Sequence, residues 1–372
     1  MLLIPGPVDV PDSVLRASAY VVNHRSTEFR EIVGDCEKMM NGFAKSSKTV
    51  MTTGSGTTAV ESMIFSLTEP GENVLAVSFG EFGERMIESL ERRGLRVHTI
   101  RKGQNDSMSG EEIEQKLSEH GEIKSLFLVQ NETGNGTSIR NLKQIARMAK
   151  THGVRVFVDS VSAFGAVPVM VDDWGIDAMA TCSQKGLASV PGLGIVCLGR
   201  EISGNLSPRS DIPQYLDLGI SLRFMQKNET PYTPSTGSFN ALRTALKILD
   251  HEGIENRWKR HSTNAAFLRD FLSKSGADII GNNGNYSDTV IAFNPHSDVN
   301  SIIEGLSSRG IVVSRGMGEL NRNALRIGNL GMVSGREIMT FLNAYFDITG
   351  KHMRVETADI PEGSLYPENL TD

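Results

Sequence analysis

Over the first 240 residues, short strand-like runs alternate with helix-like segments, and few architectures accommodate that order. Thr49-Val50-Met51-Thr52 is a short apolar run closed by Thr53-Gly54, and Val60, Met63, Ile64 and Leu67 follow at helical spacing. Residues 73–78 read as a strand, 84–93 as a helix stopped by Gly94, and 96–100 as another strand. The run 125–130 is continuously apolar, the mark of a strand buried on both faces. Leu142, Ile145, Ala146 and Ala149 form a helical stripe ended by Gly153, and residues 154–158 give the next strand, with Asp159 at its C-terminal end. Residues 177–182 and 194–198 add two more. This order predicts an α/β fold, a mostly parallel sheet covered by helices. Ligands in such folds bind beyond the carboxyl ends of the strands, so the informative residues should lie just after them.

From Ala241 onward the pattern changes. Residues 241–249 and 254–274 are helical, with Ile254, Trp258, Ala265, Leu268 and Leu272 roughly on one face. Shorter strands are expected at 289–293, 310–314 and 324–327, separated by helices at 299–309 and 334–346. The division expected is an N-terminal arm, 1–16, packed with the smaller unit, a large domain, 17–245, and a smaller α/β domain, 246–350. The stretch 351–372, with five acids against two bases and two prolines, reads as a surface tail.

Composition narrows the function. The 38 basic and 44 acidic residues give a net charge of −6, which disfavours nucleic acid as a main partner. Three cysteines without paired spacing exclude a disulfide framework and a cysteine zinc cluster. The eight histidines are scattered, with no HExxH, so no metal site is expected. No apolar run approaches the roughly 18 residues of a membrane helix. The opening segment lacks the basic start of a signal peptide, so a cytoplasmic protein is expected.

Three strand ends carry chemistry. Gly54-Ser55-Gly56-Thr57-Thr58-Ala59 follows a strand and opens a helix, where free N–H groups and hydroxyls suit a phosphate. The same residues fit a tight turn with a helix cap, or a loose match to the dinucleotide fingerprint. Asp159 ends an apolar strand, where a carboxylate needs a cation or several donors, or else caps a turn. Lys185, in Ser183-Gln184-Lys185, follows the strand 177–182; a lysine there is either a solvated loop residue or, freed of its proton, a Schiff-base former. Together, a phosphate cradle, an aspartate and a lysine at strand ends are what pyridoxal 5'-phosphate requires.

These parts occur within five short motifs in a fixed order. They are Thr53-Gly54-Ser55-Gly56-Thr57, Phe157-Val158-Asp159-Ser160-Val161-Ser162, Ser183-Gln184-Lys185, Pro231-Tyr232-Thr233-Pro234 and Leu325-Arg326-Ile327-Gly328. In this the chain resembles the class V aminotransferases of fold type I, close to the alanine–glyoxylate and serine–pyruvate enzymes, from Pro5-Gly6-Pro7 to about Phe346. The resemblance implies a large domain built on a mostly parallel seven-stranded sheet, with a smaller C-terminal domain. It makes Lys185 the lysine that carries the cofactor and Asp159 the partner of its pyridine nitrogen. Ser55, Gly56 and Thr57, aided by Gln184, would hold the phosphate. Phe82 would cover the ring and Thr133 would lie near its ring oxygen. Thr233 would reach the phosphate of a neighbouring subunit, implying a homodimer with shared active sites. Arg326 would grip the substrate α-carboxylate as a two-pronged donor. His24-Arg25-Ser26 fits either the substrate entrance or a structural turn.

The implied reaction moves an amino group from alanine or serine to glyoxylate or pyruvate. Aminoethylphosphonate, aspartate and phosphoserine are alternative donors. Cysteine desulfuration is disfavoured, because no Cys follows Cys197. A nicotinamide dehydrogenase is disfavoured too. The acid it needs is matched only by Glu72, which lies 16 residues after Gly56 in a turn before a strand.

Overall fold

The computed structural model describes residues 1–366. In chain order its strands are β1 (Lys48–Gly54), β2 (Asn73–Ser78), β3 (Arg96–Arg101), β4 (Ile123–Val129), β5 (Asn131–Glu132), β6 (Thr137–Ser138), β7 (Arg155–Asp159), β8 (Ala178–Cys182), β9 (Gly192–Leu198), β10 (Asp278–Ile279), β11 (Val290–Asn294), β12 (Ser314–Arg315) and β13 (Leu325–Gly328). Seven of them form one sheet in the order β1-β9-β8-β7-β4-β2-β3. Only β9 runs against its neighbours, so the expected mostly parallel α/β sheet is present.

Both faces of this sheet are buried, which explains the unbroken apolar run in β4. Leu126 and Leu128 point to one face, with Val156, Val158 and Met179, beneath helices Thr27–Ala44, Leu142–Thr151 and Thr236–Glu252. Phe127 and Val129 point to the other, with Phe157, Ala178 and Ala180, beneath helices Gly56–Leu67 and Glu81–Arg92. The edge strand β3 is the least buried, and its Arg96 and Arg101 are exposed, as suits a strand with one unpaired side.

A second, antiparallel sheet has the order β10-β11-β13-β12. Its core gathers Ile291, Phe293, Leu325 and Ile327 against helices Ile254–Lys274 and Gly335–Ile348. The N-terminal residues join it: the Leu3 N–H donates to the Val312 carbonyl at 2.9 Å, and Gly328 donates back to the Leu3 carbonyl at 2.9 Å.

Some elements differ from the sequence reading. The run 310–314 forms no continuous strand: Val312 bridges only Leu2, and pairing with β13 begins at Ser314. Helices Thr27–Ala44 and Gly110–Glu119 lie where no element was assigned from the periodicity. The described part of the 351–372 stretch is mostly exposed but pinned at two points. Val355 exchanges two hydrogen bonds with the Asn343 side chain, and buried Ser364 accepts the Gly335 N–H. The rest of that stretch lies outside the described residues.

Candidate active site

The residues singled out in the sequence lie mostly beyond the carboxyl ends of the parallel strands. Helix Gly56–Leu67 starts directly after β1, with Gly56 buried and Ser55 and Thr57 exposed at its mouth. A Cβ on Gly56 would sit 2.7 Å from both Val161 methyl groups, so only glycine lets this helix start approach the turn after β7. Asp159 ends β7 and is buried; its Oδ1 accepts the Val161 N–H at 2.8 Å. Burial pushes its carboxyl up to about 6, against the pull of that N–H, Lys185 and Arg85. Gly56, Thr57, Phe82, Arg85, Asp159 and Val161 line one cleft of about 380 Å³.

Lys185 follows β8 in a loop tightened by two hydrogen bonds, Ser183 Oγ to the Val190 carbonyl at 2.7 Å and Ala188 N–H to the Lys185 carbonyl at 2.9 Å. Its Nζ donates to the Pro5 carbonyl. Burial lowers the Lys185 pKa, and the Arg326 charge acts in the same direction. The neighbouring Gln184 is half-buried and accepts from Ser183 Oγ at 3.4 Å.

Arg326 enters from the second sheet. Its Nε donates to the Arg315 carbonyl at 2.6 Å and its NH1 to the Thr133 carbonyl at 2.7 Å. Thr133 Oγ1 donates to Ser162 Oγ at 2.7 Å, and Asn131 Nδ2 donates to the same oxygen at 2.8 Å. Thr133 thus links the turns after β4 and β7 to β13. No carboxylate pairs with Arg326 among the described residues, so part of its fork remains available to an anion.

Phe82 is half-buried, with the Arg85 guanidinium 4.8 Å from its ring centroid. Thr233 does not line this cleft. It is exposed, in a separate pocket with Thr53, Tyr215 and Tyr232. His24-Arg25-Ser26 is a structural turn: Ser26 caps helix Thr27–Ala44 through the Phe29 N–H, and Arg25 binds Glu229 and the Thr230 carbonyl, each at 3.1 Å.

Three features escape sequence reasoning: Arg85, the Pro5 carbonyl on Lys185, and Glu132. The buried Glu132 carboxylate accepts N–H groups from Phe82 (3.0 Å), Gly83 (3.1 Å) and Gly134 (2.8 Å). It therefore fixes the residue at the cleft wall to the loop that holds Thr133. Burial pushes its carboxyl up to about 7, with Asp159 acting in the same direction. Glu132→Gln turns an amide NH₂ toward at least one of these N–H donors. An unsatisfied buried donor costs roughly 1–3 kcal/mol, to be read from urea midpoints at pH about 8. The pH dependence separates charge from shape. The folded form holds the Glu132 proton above the usual carboxylate range, so it binds more protons than the unfolded chain. Wild-type stability should therefore fall as pH rises from about 4.5 to about 7, and this component should be missing from the Gln variant.

The donor set fits pyridoxal phosphate: an amine of lowered pKa, a buried carboxylate that lines the cleft, and a helix start with two exposed hydroxyl residues. Comparison with known proteins points the same way. The family model for class-V aminotransferases matches residues 14–320. An uncharacterized aminotransferase of Methanocaldococcus jannaschii is 33% identical over 353 residues, covering 92% of this chain and 90% of its own. The serine–glyoxylate aminotransferase of Methylorubrum extorquens is 30% identical, covering 89% of this chain and 86% of its own. Among solved structures, the alanine–glyoxylate aminotransferase of Nostoc sp. superposes with a TM-score of 0.88 at 28% identity, over 94% of each chain.

Proposed function

The chain belongs to the class-V aminotransferases, and from that premise we propose that it transfers the amino group of a small amino acid, alanine or serine, to glyoxylate or pyruvate. Its fold is that of the type I pyridoxal-phosphate enzymes, and pyridoxal 5'-phosphate is its cofactor. When bound, the cofactor supplies an electron sink for charge developing at the donor Cα.

The choice of small substrates is supported by the likeness to the serine–glyoxylate relative, 30% identical, and to the alanine–glyoxylate structure, 28% identical. The N-terminal arm packs directly on Lys185: a Cβ on Gly6 would lie 2.6 Å from Lys185 Cδ and 2.8 Å from its Nζ, so glycine is needed where this arm roofs the amine.

In this reading Lys185 carries the cofactor and then serves as acid and base at the donor Cα. Its lowered pKa favours the neutral amine that a base requires. Asp159 keeps a proton on the pyridine nitrogen. Ser55, Gly56 and Thr57, with Gln184, hold the phosphate at the helix start. Phe82 would cover one ring face, and Thr133 would lie near the ring oxygen. Thr233, exposed and outside its own chain's cleft, reaches the phosphate of the partner in a homodimer. The exposed apolar side chains Leu15, Tyr20 and Val21 suit burial in such an interface. Three buried, unpaired cysteines suit a reducing cytoplasm, and no described helix is long and apolar enough to cross a membrane.

A panel of donors (alanine, serine, aspartate, glutamate, phosphoserine, aminoethylphosphonate) against glyoxylate, pyruvate and 2-oxoglutarate tests the assignment. The highest kcat/KM should fall on alanine or serine with glyoxylate or pyruvate; a clear preference for a dicarboxylic or phosphorylated donor overturns it. Arg326→Lys tests the carboxylate site. A point donor cannot reproduce a fork, and losing one leg of a charged pair costs on the order of 1.5–3 kcal/mol, a ten- to hundredfold drop in kcat/KM. The loss should appear with every amino-acid donor and spare cofactor binding. Unchanged kinetics with alanine and glyoxylate would remove Arg326 from the site.

A further inference from the structure

At the opposite end of the large sheet from Asp159 and Lys185, three residues from two separate segments converge. His98 lies on the edge strand β3, and His120 and Glu122 lie in the turn that leads into β4. The Glu122 carboxylate oxygen Oε1 is 3.7 Å from His98 Nε2 and 3.5 Å from His120 Nδ1. The imidazole centroids are 4.3 Å apart, and all three ligand atoms lie within 4.8 Å of one another. A tetrahedral ion with bonds of about 2.0–2.1 Å places its ligand atoms about 3.3–3.4 Å apart, so both pairs that include Glu122 are within a few tenths of an ångström of that spacing. The backbone holds this arrangement in place. β2 bridges the two elements, pairing Leu75 with His98 and Asn73 with Ile123, and the Ile123 N–H closes the turn on the His120 carbonyl at 3.0 Å.

We propose that His98 Nε2, His120 Nδ1 and Glu122 Oε1 form a binding site for a divalent ion of the zinc class, with water in the fourth position. Two imidazoles and a carboxylate suit Zn²⁺, which takes nitrogen and oxygen donors in four-coordinate sites. All three side chains are partly exposed, so the ion has a path from solvent. His98 Nε2 and Asn73 Oδ1 lie 3.4 Å apart, a hydrogen bond that uses the Nε2 proton; ion binding takes the tautomer protonated at Nδ1 and leaves Oδ1 to accept from the bound water. The nearby cation Lys116 is drawn toward Glu119, 3.9 Å away. Linear spacing gives no hint of this site, because the pairing of β3 and β4 with β2 is what brings residue 98 to residues 120 and 122. The ion would tie the edge strand to the entry of β4, away from Asp159 and Lys185.

The test is Zn²⁺ titration of the chelator-treated, cofactor-loaded enzyme by calorimetry at pH about 7.5, on wild type, His120→Ala and Glu122→Gln. The Gln variant replaces an exposed carboxylate with its isostere and so keeps the fold. Wild type should bind one Zn²⁺ per chain and gain thermal stability from it. Each variant should bind at least roughly tenfold more weakly, and transamination without metal should be unchanged in both. Absence of stoichiometric binding by wild type, or equal binding by all three proteins, would leave the cluster as histidine–glutamate ion pairs and overturn the proposal. Neither outcome depends on the substrate assignment.

Discussion

Lys185→Ala is expected to abolish transamination while leaving the fold intact. The side chain would fill two roles, covalent carrier of the cofactor and acid–base at the donor Cα. Losing both should lower turnover by at least about 10⁴-fold. Structurally the substitution removes little. The lysine is not part of a hydrophobic core cluster, and the loop around it is held by Ser183 Oγ on the Val190 carbonyl and by the Ala188 N–H, neither of which uses the lysine side chain. The Pro5 carbonyl loses its donor, but its arm stays fixed through Leu3 in the second sheet. Thermal melting should therefore be nearly unchanged, while the absorbance of the lysine-linked cofactor gives way to that of the free aldehyde. Borohydride treatment of wild type followed by peptide mass mapping should place the reduced cofactor on Lys185. A label on another lysine, or residual turnover above roughly a hundredth of wild type, would contradict this assignment.

How legible the molecule was in its sequence follows from where its constraints are local. Residues 73–78 and 254–274 coincide with a strand and a helix of the structure, because each is delimited by its own chemistry. β2 is a continuous apolar run just after the Pro70-Gly71 turn, and the helix opens after Gly253 and closes before Ser275-Gly276. Helix Thr27–Ala44 was also legible in principle. Phe29, Ile32, Val33, Cys36 and Met40 recur at helical spacing behind Ser26, whose side chain caps it. The run 310–314 misleads for the converse reason. Ile311 and Val313 are buried, which the apolar pattern registers, but they pack without a strand partner because the N-terminal arm occupies that edge.

The site divides along the same line. Ser55, Asp159 and Lys185 each sit where a strand ends, so alternation alone locates them. Glu132 does not stand out, because two of its three N–H donors come from the distant Phe82-Gly83 segment, and nothing in Asn131-Glu132-Thr133-Gly134 announces them. The roof over Lys185 joins residues 180 positions apart, and the Arg326 guanidinium reaches the Thr133 carbonyl across 193. Contacts of that separation are products of topology, not of local pattern.

Asp159→Asn should separate a structural aspartate from one that serves the cofactor. If the carboxylate matters only as a turn acceptor, asparagine replaces it at little cost, because an amide oxygen can accept the Val161 N–H that Oδ1 accepts at 2.8 Å. If Asp159 holds a proton on the pyridine nitrogen, the neutral amide cannot. The electron sink then fails as charge develops at the donor Cα. By analogy with removing one preorganised transition-state donor, this should cost roughly 3–4 kcal/mol, a several-hundredfold fall in kcat. Stability should move the other way or not at all. Burial holds the Asp159 carboxyl at about 6, above its usual value, so the folded cofactor-free chain binds this proton more tightly than the unfolded chain. The associated stability is present below the usual aspartate range and lost as pH rises through about 6, leaving a buried charge at neutral pH that the amide avoids. The cofactor-free Asn variant should thus melt at or above the wild-type temperature at pH about 7.5, while the loaded enzyme loses most of its turnover. Near-normal turnover in Asp159→Asn would reduce Asp159 to the acceptor of the Val161 N–H and return the question of the pyridine partner to the other groups in the cleft.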